Sequence, residues 1–355
     1  MIKSAGYASK GKHSKLQHFE FEREEPGPNE VQIEILYCGV CHSDLHQVRD
    51  EWHNTVYPCL PGHEIVGRVT RVGSAVTKFA VGDLAGVGCM IDSCGSCRGC
   101  TEGLEQYCEG PKGWTATYNG PVKPDGTNTF GGYSNNVVVK ESFVLRIPDS
   151  LELTGVPPLL CAGVTTYSPM KHWNVGPGQT VGVIGLGGLG HMAVKLARAL
   201  GARVIVFTTS EDKEDDARRL GVEEVILSTD ENAMAAKELS LDFAISTIPD
   251  PYDINPYVKL LKRDAALAVV GVLAPYKKPT DNQEVAFHRR TVSGSLIGGI
   301  AETQEVLDFC AEHGITADVE LIPINDINDA FDRMQKGEVR FRYVIDMATL
   351  EAPSA

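Results

Sequence analysis

Gly185-Leu186-Gly187-Gly188-Leu189-Gly190 is a G-x-G-x-x-G run with a short apolar segment, Val181–Ile184, before it and a helical pattern, Gly188–Leu200, after it. Alone the pattern is weak, because glycines cluster in many tight turns. Its setting makes it constraining: a second apolar strand, Arg203–Phe207, follows at the distance a β-α-β unit requires. There the first two glycines permit a tight turn and close approach to a pyrophosphate, and the third lets helix and strand touch. The helix N-terminus offers backbone N–H groups to the phosphates. The alternation continues through helix Glu211–Leu220, strands Glu224–Leu227 and Leu241–Ser246, helix Ile254–Leu261 and strand Ala266–Val270. This order predicts an α/β domain with a doubly wound parallel sheet.

The first third has a different texture. Short alternating runs, Val31–Leu36, Ile65–Val72 and Asn136–Val139, are broken by Gly, Pro and Asp turns, as in a β-rich domain. Beyond Val292–Ile297 come a helix, Glu302–His313, and a closing strand, Tyr343–Met347, which return in part to that first domain. Two domains also suit 355 residues, a length at which a single core stops growing.

The tip of the second nucleotide-domain strand selects the cofactor. An NAD enzyme usually places Asp or Glu there to accept from the ribose hydroxyls. This chain has Thr208, Thr209 and Ser210, then Glu211, Asp212 and Lys213. Neutral hydroxyls leave room for a 2′-phosphate and Lys213 can pair with it, so NADP(H) is expected. The same Thr-Thr-Ser can also cap the next helix, while Glu211 turned inward would favour NAD.

Four cysteines, Cys94, Cys97, Cys100 and Cys108, are spaced C-x2-C-x2-C-x7-C. The lobe Ser93–Glu109 is Gly-rich and poor in apolar residues, so packing alone cannot hold it. Four thiolates around a structural zinc would. An iron–sulfur cluster fits less well, since its runs have a shorter last gap and a proline. Disulfides are not expected without a secretory signal.

Met1–Gly11 is polar, and no apolar run reaches membrane-spanning length, so the cytosol is the expected compartment. A net charge of −14 disfavours nucleic acid and anionic membranes as partners. The other dense clusters are Gly39–His46 and Pro61–Glu64. A catalytic zinc takes three protein ligands and keeps one open position, and Cys41, His63 and Cys161 are candidates. Spacing alone leaves this open, because a lone buried cysteine is usually a small apolar residue.

The motifs CGVCHSDLH (Cys38–His46), PGHEIVG (Pro61–Gly67), the four-cysteine lobe, PLLCAGVTTYSP (Pro158–Pro169), GLGGLGH (Gly185–His191), GSLIGGIAET (Gly294–Thr303) and RFRYVID (Arg340–Asp346) span nearly the whole chain. Together they resemble the zinc-dependent medium-chain alcohol dehydrogenases of the cinnamyl alcohol dehydrogenase type, and within them the bacterial NADPH-dependent aldehyde reductases. The resemblance implies a β-rich GroES-like catalytic domain (1–157 and 298–355) and a Rossmann NADP(H)-binding domain (158–297). It implies two zinc ions per chain and a homodimer. Cys41, His63 and Cys161 then match the catalytic zinc ligands, and Glu64 the carboxylate that can approach the metal. Asp44 matches the acid that orients the zinc histidine. Ser43 matches the hydroxyl that touches the substrate oxygen and, through a ribose hydroxyl, passes a proton toward His46. Thr208, Thr209 and Lys213 fall at the 2′-phosphate, and Thr247, Gly271, Ser295, Leu296 and Ile297 along the nicotinamide half of the cofactor site. Trp52, Trp114 and Leu296 could make a wide apolar pocket for aromatic or medium-length aldehydes, or could be ordinary core.

The reaction implied is hydride transfer between NADP(H) and a primary alcohol or aldehyde, with zinc as Lewis acid. One rival is a zinc-free reductase of the quinone reductase type, which would lack the three catalytic ligands. A non-catalytic zinc protein, the other rival, would need neither that ligand set nor the glycine run.

Overall fold

Val31, Ile33 and Ile35 are buried while Gln32 and Glu34 between them are not, the period-two pattern of a strand with one face on a core. They belong to β3 (Glu30–Val40), preceded by β1 (Ile2–Ala8) and β2 (Gln17–Arg23). Then come β4 (Ile65–Val72), β5 (Leu84–Val87), β6 (Met90–Asp92), β7 (Thr115–Ala116), β8 (Asn136–Lys140) and β9 (Leu145–Arg146). A nucleotide-type run follows: β10 (Thr180–Ile184), β11 (Arg203–Thr208), β12 (Glu224–Leu227), β13 (Leu241–Ser246), β14 (Leu261–Val269) and β15 (Thr291–Gly294). The last strands are β16 (Val319–Pro323) and β17 (Arg342–Asp346). This is a computed structural model, and it describes residues 1–120 and 128–353.

The chain divides into one unit of Met1–Cys161 with Gly298–Ala355 and another of Ala162–Ile297. In the first, a seven-stranded sheet runs β16-β17-β3-β4-β5-β9, with β8 also on β3. β1 and β2 form a separate hairpin, and β6 and β7 pair as a two-stranded sheet with the cysteine lobe between them. The antiparallel register of β3 and β4 pairs Cys38 with Ile65. Continued past the strand ends, it brings Cys41, three residues beyond Cys38, level with the residues just ahead of Ile65, where His63 lies. The expected break at 157/158 lies four residues early. Pro157–Leu160 is a buried turn, and Leu160 sits so close to β5 that a Cβ on Gly86 would meet its side chain at 3.3 Å. That anchors the segment in the first unit and delivers Cys161 there.

The second unit is a six-stranded parallel sheet of order β12-β11-β10-β13-β14-β15. Its strand order reverses between β10 and β13, the place where such sheets bind ligands. Ile184, Phe207, Leu241, Ile254, Leu261 and Leu267 are among its buried core residues. The helix Gly188–Ala199 follows β10.

Two expected elements differ. In place of helix Ile254–Leu261 there is one turn, Asn255–Val258, and Leu261 already begins β14. Ser240 and Leu241 N–H both donate to Leu260 O (2.9 Å each) and Leu261 pairs with Leu241, so the chain enters the sheet before the turn can lengthen. The buried Arg290 holds Lys259 O (3.0 Å) and Leu261 O (2.8 Å) in that course. Strand Val292–Ile297 stops at Gly294, and Ile297 turns out of it with φ +37°.

Candidate active site

Cys41 is the N-cap of a short helix, α1 (His42–Val48), which carries Ser43, Asp44 and His46. Asp44 closes the helix start by accepting from Cys41 N–H at 2.9 Å. One ligand-type atom each from Cys41, His63, Glu64 and Cys161 lies within 4.8 Å of all the others. All four come from the first unit. His63 Nδ1 lies 3.0 Å from Asp44 Oδ1. The imidazole N–H donates to the carboxylate, so the Nε2 lone pair is left for a metal. Burial works against a charged imidazole here, yet the Asp44 charge and hydrogen bond raise the His63 pKa well above its usual value.

The chemistry of this donor set fits zinc. A hydrogen bond from Cys161 is the main reason the Cys41 thiol lies well below the ordinary range, so a thiolate is favoured here. Glu64 is fully buried, and its Oε2 has no hydrogen-bond partner among the described residues. Burial raises its pKa to about 7, against the pull of Arg342. Arg342, itself buried, pairs with the other oxygen, Oε1. Room for this carboxylate depends on Gly39, where a Cβ would stand 1.9 Å from Oε2.

The lobe fits a second metal. Sulfur–sulfur distances are 3.9 Å for Cys94–Cys100, 3.5 Å for Cys97–Cys100 and 3.9 Å for Cys97–Cys108. A tetrahedron with zinc–sulfur bonds near 2.3 Å requires about 3.8 Å. Backbone N–H groups of Cys97, Glu109 and Gly110 point at the sulfurs of Cys94, Cys97 and Cys108. The N–H groups of Ser96 and Cys97 pull the Cys94 thiol down to about 6.

His46 Nδ1 lies 2.5 Å from Glu51 Oε2, and its ring lies 5.8 Å from that of Trp52. Ser43 and His46 stand three residues apart, on one side of α1. Trp114 is half-buried just before β7 in the first unit, and Leu296 belongs to the second.

In the second unit the glycine run behaves as its pattern requires. Gly185 has φ +89°, a Cβ on Gly187 would meet nothing within 4 Å, and a Cβ on Gly190 would meet Gly185 O at 2.2 Å. These are the tight turn, the open approach and the close helix contact. Leu186 is buried, and Gly188 and Leu189 open the helix. Thr208 ends β11, with its hydroxyl accepting from Ser210 N–H at 3.2 Å, while Thr209 is exposed and Lys213 half-exposed in the next turn. The Thr247 hydroxyl lies 3.0 Å from Ile184 O and 3.1 Å from Gly185 O, tying the end of β13 to the glycine turn. Gly271 presses on the Thr247–Ile248 backbone, and Ser295 N–H donates to Val269 O at 3.2 Å.

Sequence reasoning assigned no role to Arg342, Glu51 or Gly39. Arg342 had a signal, an arginine at the head of the largely apolar strand Arg342–Asp346. Glu51 lies five residues beyond its partner His46, past the end of α1, and Gly39 acts through Glu64, a tertiary neighbour that no spacing reveals.

A doubly wound nucleotide sheet and two thiolate-rich clusters in one chain define a metal- and dinucleotide-dependent dehydrogenase. The alcohol dehydrogenase GroES-like domain matches residues 27–149, and the zinc-binding dehydrogenase model matches 188–312. Aldehyde reductase YahK of Escherichia coli is 53% identical over 351 residues, covering 98% of this chain and 99% of that one. NADP-dependent alcohol dehydrogenase C 1 of Mycolicibacterium smegmatis is 48% identical, covering 98% and 99%. Among solved structures, a cinnamyl alcohol dehydrogenase of Sorghum bicolor superimposes with TM-score 0.94 at 42% identity, covering both chains fully. One from Helicobacter pylori, complexed with NADP(H), gives 0.91 at 42% identity over 99% of each. The chain belongs to the zinc-binding alcohol dehydrogenase family.

Proposed function

We propose that this protein is a zinc-dependent oxidoreductase that moves hydride between NADP(H) and a primary alcohol or aldehyde, chiefly reducing aromatic or medium-chain aldehydes. The convergence of Cys41, His63 and Cys161 around the unpartnered Glu64 oxygen carries this reading. Zinc bound there would act as a Lewis acid toward the substrate oxygen, and NADPH would supply the hydride. The residues do the rest. Asp44 fixes the His63 tautomer. Ser43 holds the proton due to the substrate oxygen, and His46 replenishes it from solvent. Glu51 accepts from His46 Nδ1–H, which leaves Nε2 to exchange the proton.

Gly185–Gly190 would receive the pyrophosphate, Thr208, Thr209 and Lys213 the 2′-phosphate, and Thr247, Gly271 and Ser295–Ile297 the nicotinamide half. Trp52, Trp114 and Leu296 would line the substrate pocket. Cys94, Cys97, Cys100 and Cys108 would hold a structural zinc. We assign the protein to the cytoplasm as a homodimer. Among the described residues β15 is an edge strand, and Phe287, ahead of it in the chain, and Leu273, after β14, are 75% and 65% exposed. No helix among the described residues is long and apolar enough to cross a membrane.

Metal analysis with steady-state kinetics on cinnamaldehyde, benzaldehyde and hexanal, using NADPH and NADH, tests the reading. Two zinc ions per chain and NADPH-dependent turnover are expected. One zinc per chain, with no turnover of any of the three, would overturn it.

A further inference from the structure

Asp44 is buried completely, and both of its oxygens are fully engaged. Oδ1 accepts from Gly62 N–H at 3.1 Å and from His63 Nδ1 at 3.0 Å. Oδ2 accepts from Cys41 N–H at 2.9 Å and from the Tyr133 hydroxyl at 3.1 Å. Three of these four donors belong to Cys41 and His63 or to Gly62 beside His63. Tyr133 alone comes from a distant part of the chain.

The same tyrosine grips the His63 loop through its main chain. Tyr133 N–H donates to Pro61 O at 3.0 Å, Gly132 N–H to Gly62 O at 2.8 Å, and Gly131 N–H to Leu60 O at 2.8 Å. Gly62 must be glycine for this. Its φ is +104°, and a Cβ there would meet Tyr133 Cδ1 at 2.7 Å. Tyr133 O in turn accepts from Tyr7 N–H at 2.8 Å, which ties the segment to β1. A second buried phenol, Tyr118, lies with its ring 5.7 Å from the His63 imidazole, close enough to Asp44 to feel its charge. Burial first, then the Asp44 charge, lifts both phenols well above their usual pKa, so both remain O–H donors.

We propose that Tyr133, seconded by Tyr118, is a positioning residue for the reaction centre. Its hydroxyl holds Asp44 in the one orientation that both orients His63 and caps the helix carrying Ser43 and His46. Asp44 thereby couples the metal-binding imidazole to the proton-relay helix, and Tyr133 sets the coupling. This rests on the functional reading above.

Phenylalanine at 133 keeps the ring and the main-chain bonds and removes only the donor. The test loads wild type, Tyr133→Phe and Tyr118→Phe with zinc and, separately, with Co²⁺ at the catalytic position. For Tyr133→Phe we expect a shifted visible cobalt spectrum and a 10- to 100-fold weaker hold on the catalytic metal against a chelator, roughly the loss typical when a ligand's supporting partner is removed. The lobe zinc should be retained as in wild type. kcat should fall while KM for NADPH stays unchanged. Tyr118→Phe should move the same readouts less. A Tyr133→Phe protein that folds with the wild-type cobalt spectrum and metal affinity overturns the proposal, even if its Tm is lower. If Tyr133→Phe cannot be purified folded, an unchanged spectrum and affinity in Tyr118→Phe overturns it. Wild type lacking catalytic metal or turnover would instead overturn the functional reading.

Discussion

Arg342 and Glu64 form an ion pair that neither side chain shares with solvent. Arg342 begins β17 and Glu64 lies just ahead of β4, two strands separated in the sheet by β3. The pair therefore spans β3 at Gly39, where no side chain intervenes. A buried pair of this kind is weak evidence for net stability, but removing one partner strands the other charge. Arg342→Met should cost about 3–5 kcal/mol in urea unfolding of the zinc-loaded protein. Arg342→Met/Glu64→Gln should recover part of that loss. A double variant no more stable than Arg342→Met alone would mean that the cost comes from lost packing, not from the stranded charge.

His46 and Glu51 set the second expectation. Ser43→Ala removes the hydroxyl proposed to hold the proton for the substrate oxygen and should lower kcat by roughly 10²–10⁴-fold, the usual scale of acid–base assistance. His46→Ala should be milder, because water can replace the solvent end. Glu51→Gln keeps the shape but loses the carboxylate that fixes the His46 tautomer. Its kcat should fall between wild type and His46→Ala, with KM for aldehyde unchanged. Stopped-flow and steady-state rates decide. A fully active Ser43→Ala enzyme contradicts the relay.

Much of this was legible in the chain, for identifiable reasons. The glycine run constrains backbone that only glycine adopts, so Gly185, Gly187 and Gly190 do what their spacing predicted. The four lobe cysteines are local, and their spacing alone nearly dictates a tetrahedron. Cys161 was different: only the buried Pro157–Leu160 turn brings it to Cys41, so the residue pattern left it undecided and the family resemblance supplied it. Helix Ile254–Leu261 failed because Leu260 and Leu261 are drawn into pairing beside Leu241, some twenty residues earlier, a contact that no local pattern shows. The hairpin of Ile2–Ala8 with Gln17–Arg23 went unseen: Phe19 and Phe21 alternate with Glu20 and Glu22, but two half-buried aromatics among charged residues are too little apolar material to mark a strand against a core.

The two metal positions should separate by substitution and by pH. Cys97→Ser should lose one zinc and unfold the lobe, since binding there is part of its folding free energy. Cys161→Ala should lose the other zinc and turnover while keeping its circular dichroism. Acid should act on the lobe through thiolate protonation. Cys94 sits at about 6, below the usual thiol value, so its thiolate is present above that pH and lost as pH falls through it. Zinc uptake by the metal-free lobe should therefore weaken as pH falls from 7.5 through about 6. Equal zinc affinity of the metal-free lobe at pH 7.5 and pH 5 would refute this.

Cofactor choice is the last expectation, and it turns on a few atoms beyond β11. Thr208 closes the strand with a hydroxyl, Thr209 is exposed beside it, and Lys213 follows one turn later. No carboxylate occupies the strand end; Glu211 and Asp212 stand exposed in the next turn. A charge-assisted bond to a phosphate is worth about 1.5–3 kcal/mol, or roughly tenfold to somewhat over a hundredfold in affinity. Lys213 is half-exposed, so solvent screening puts its share at the low end of that range. Lys213→Ala should thus raise KM for NADPH by about tenfold and leave NADH kinetics nearly unchanged. Thr208→Asp should go further, because a carboxylate there repels the 2′-phosphate and accepts from the free ribose hydroxyls of NADH. Wild-type kcat/KM for the two cofactors, measured with one aldehyde, is the deciding comparison. A preference for NADH would mean that Glu211 turns inward and governs the site, and Glu211→Gln should then shift the enzyme back toward NADPH.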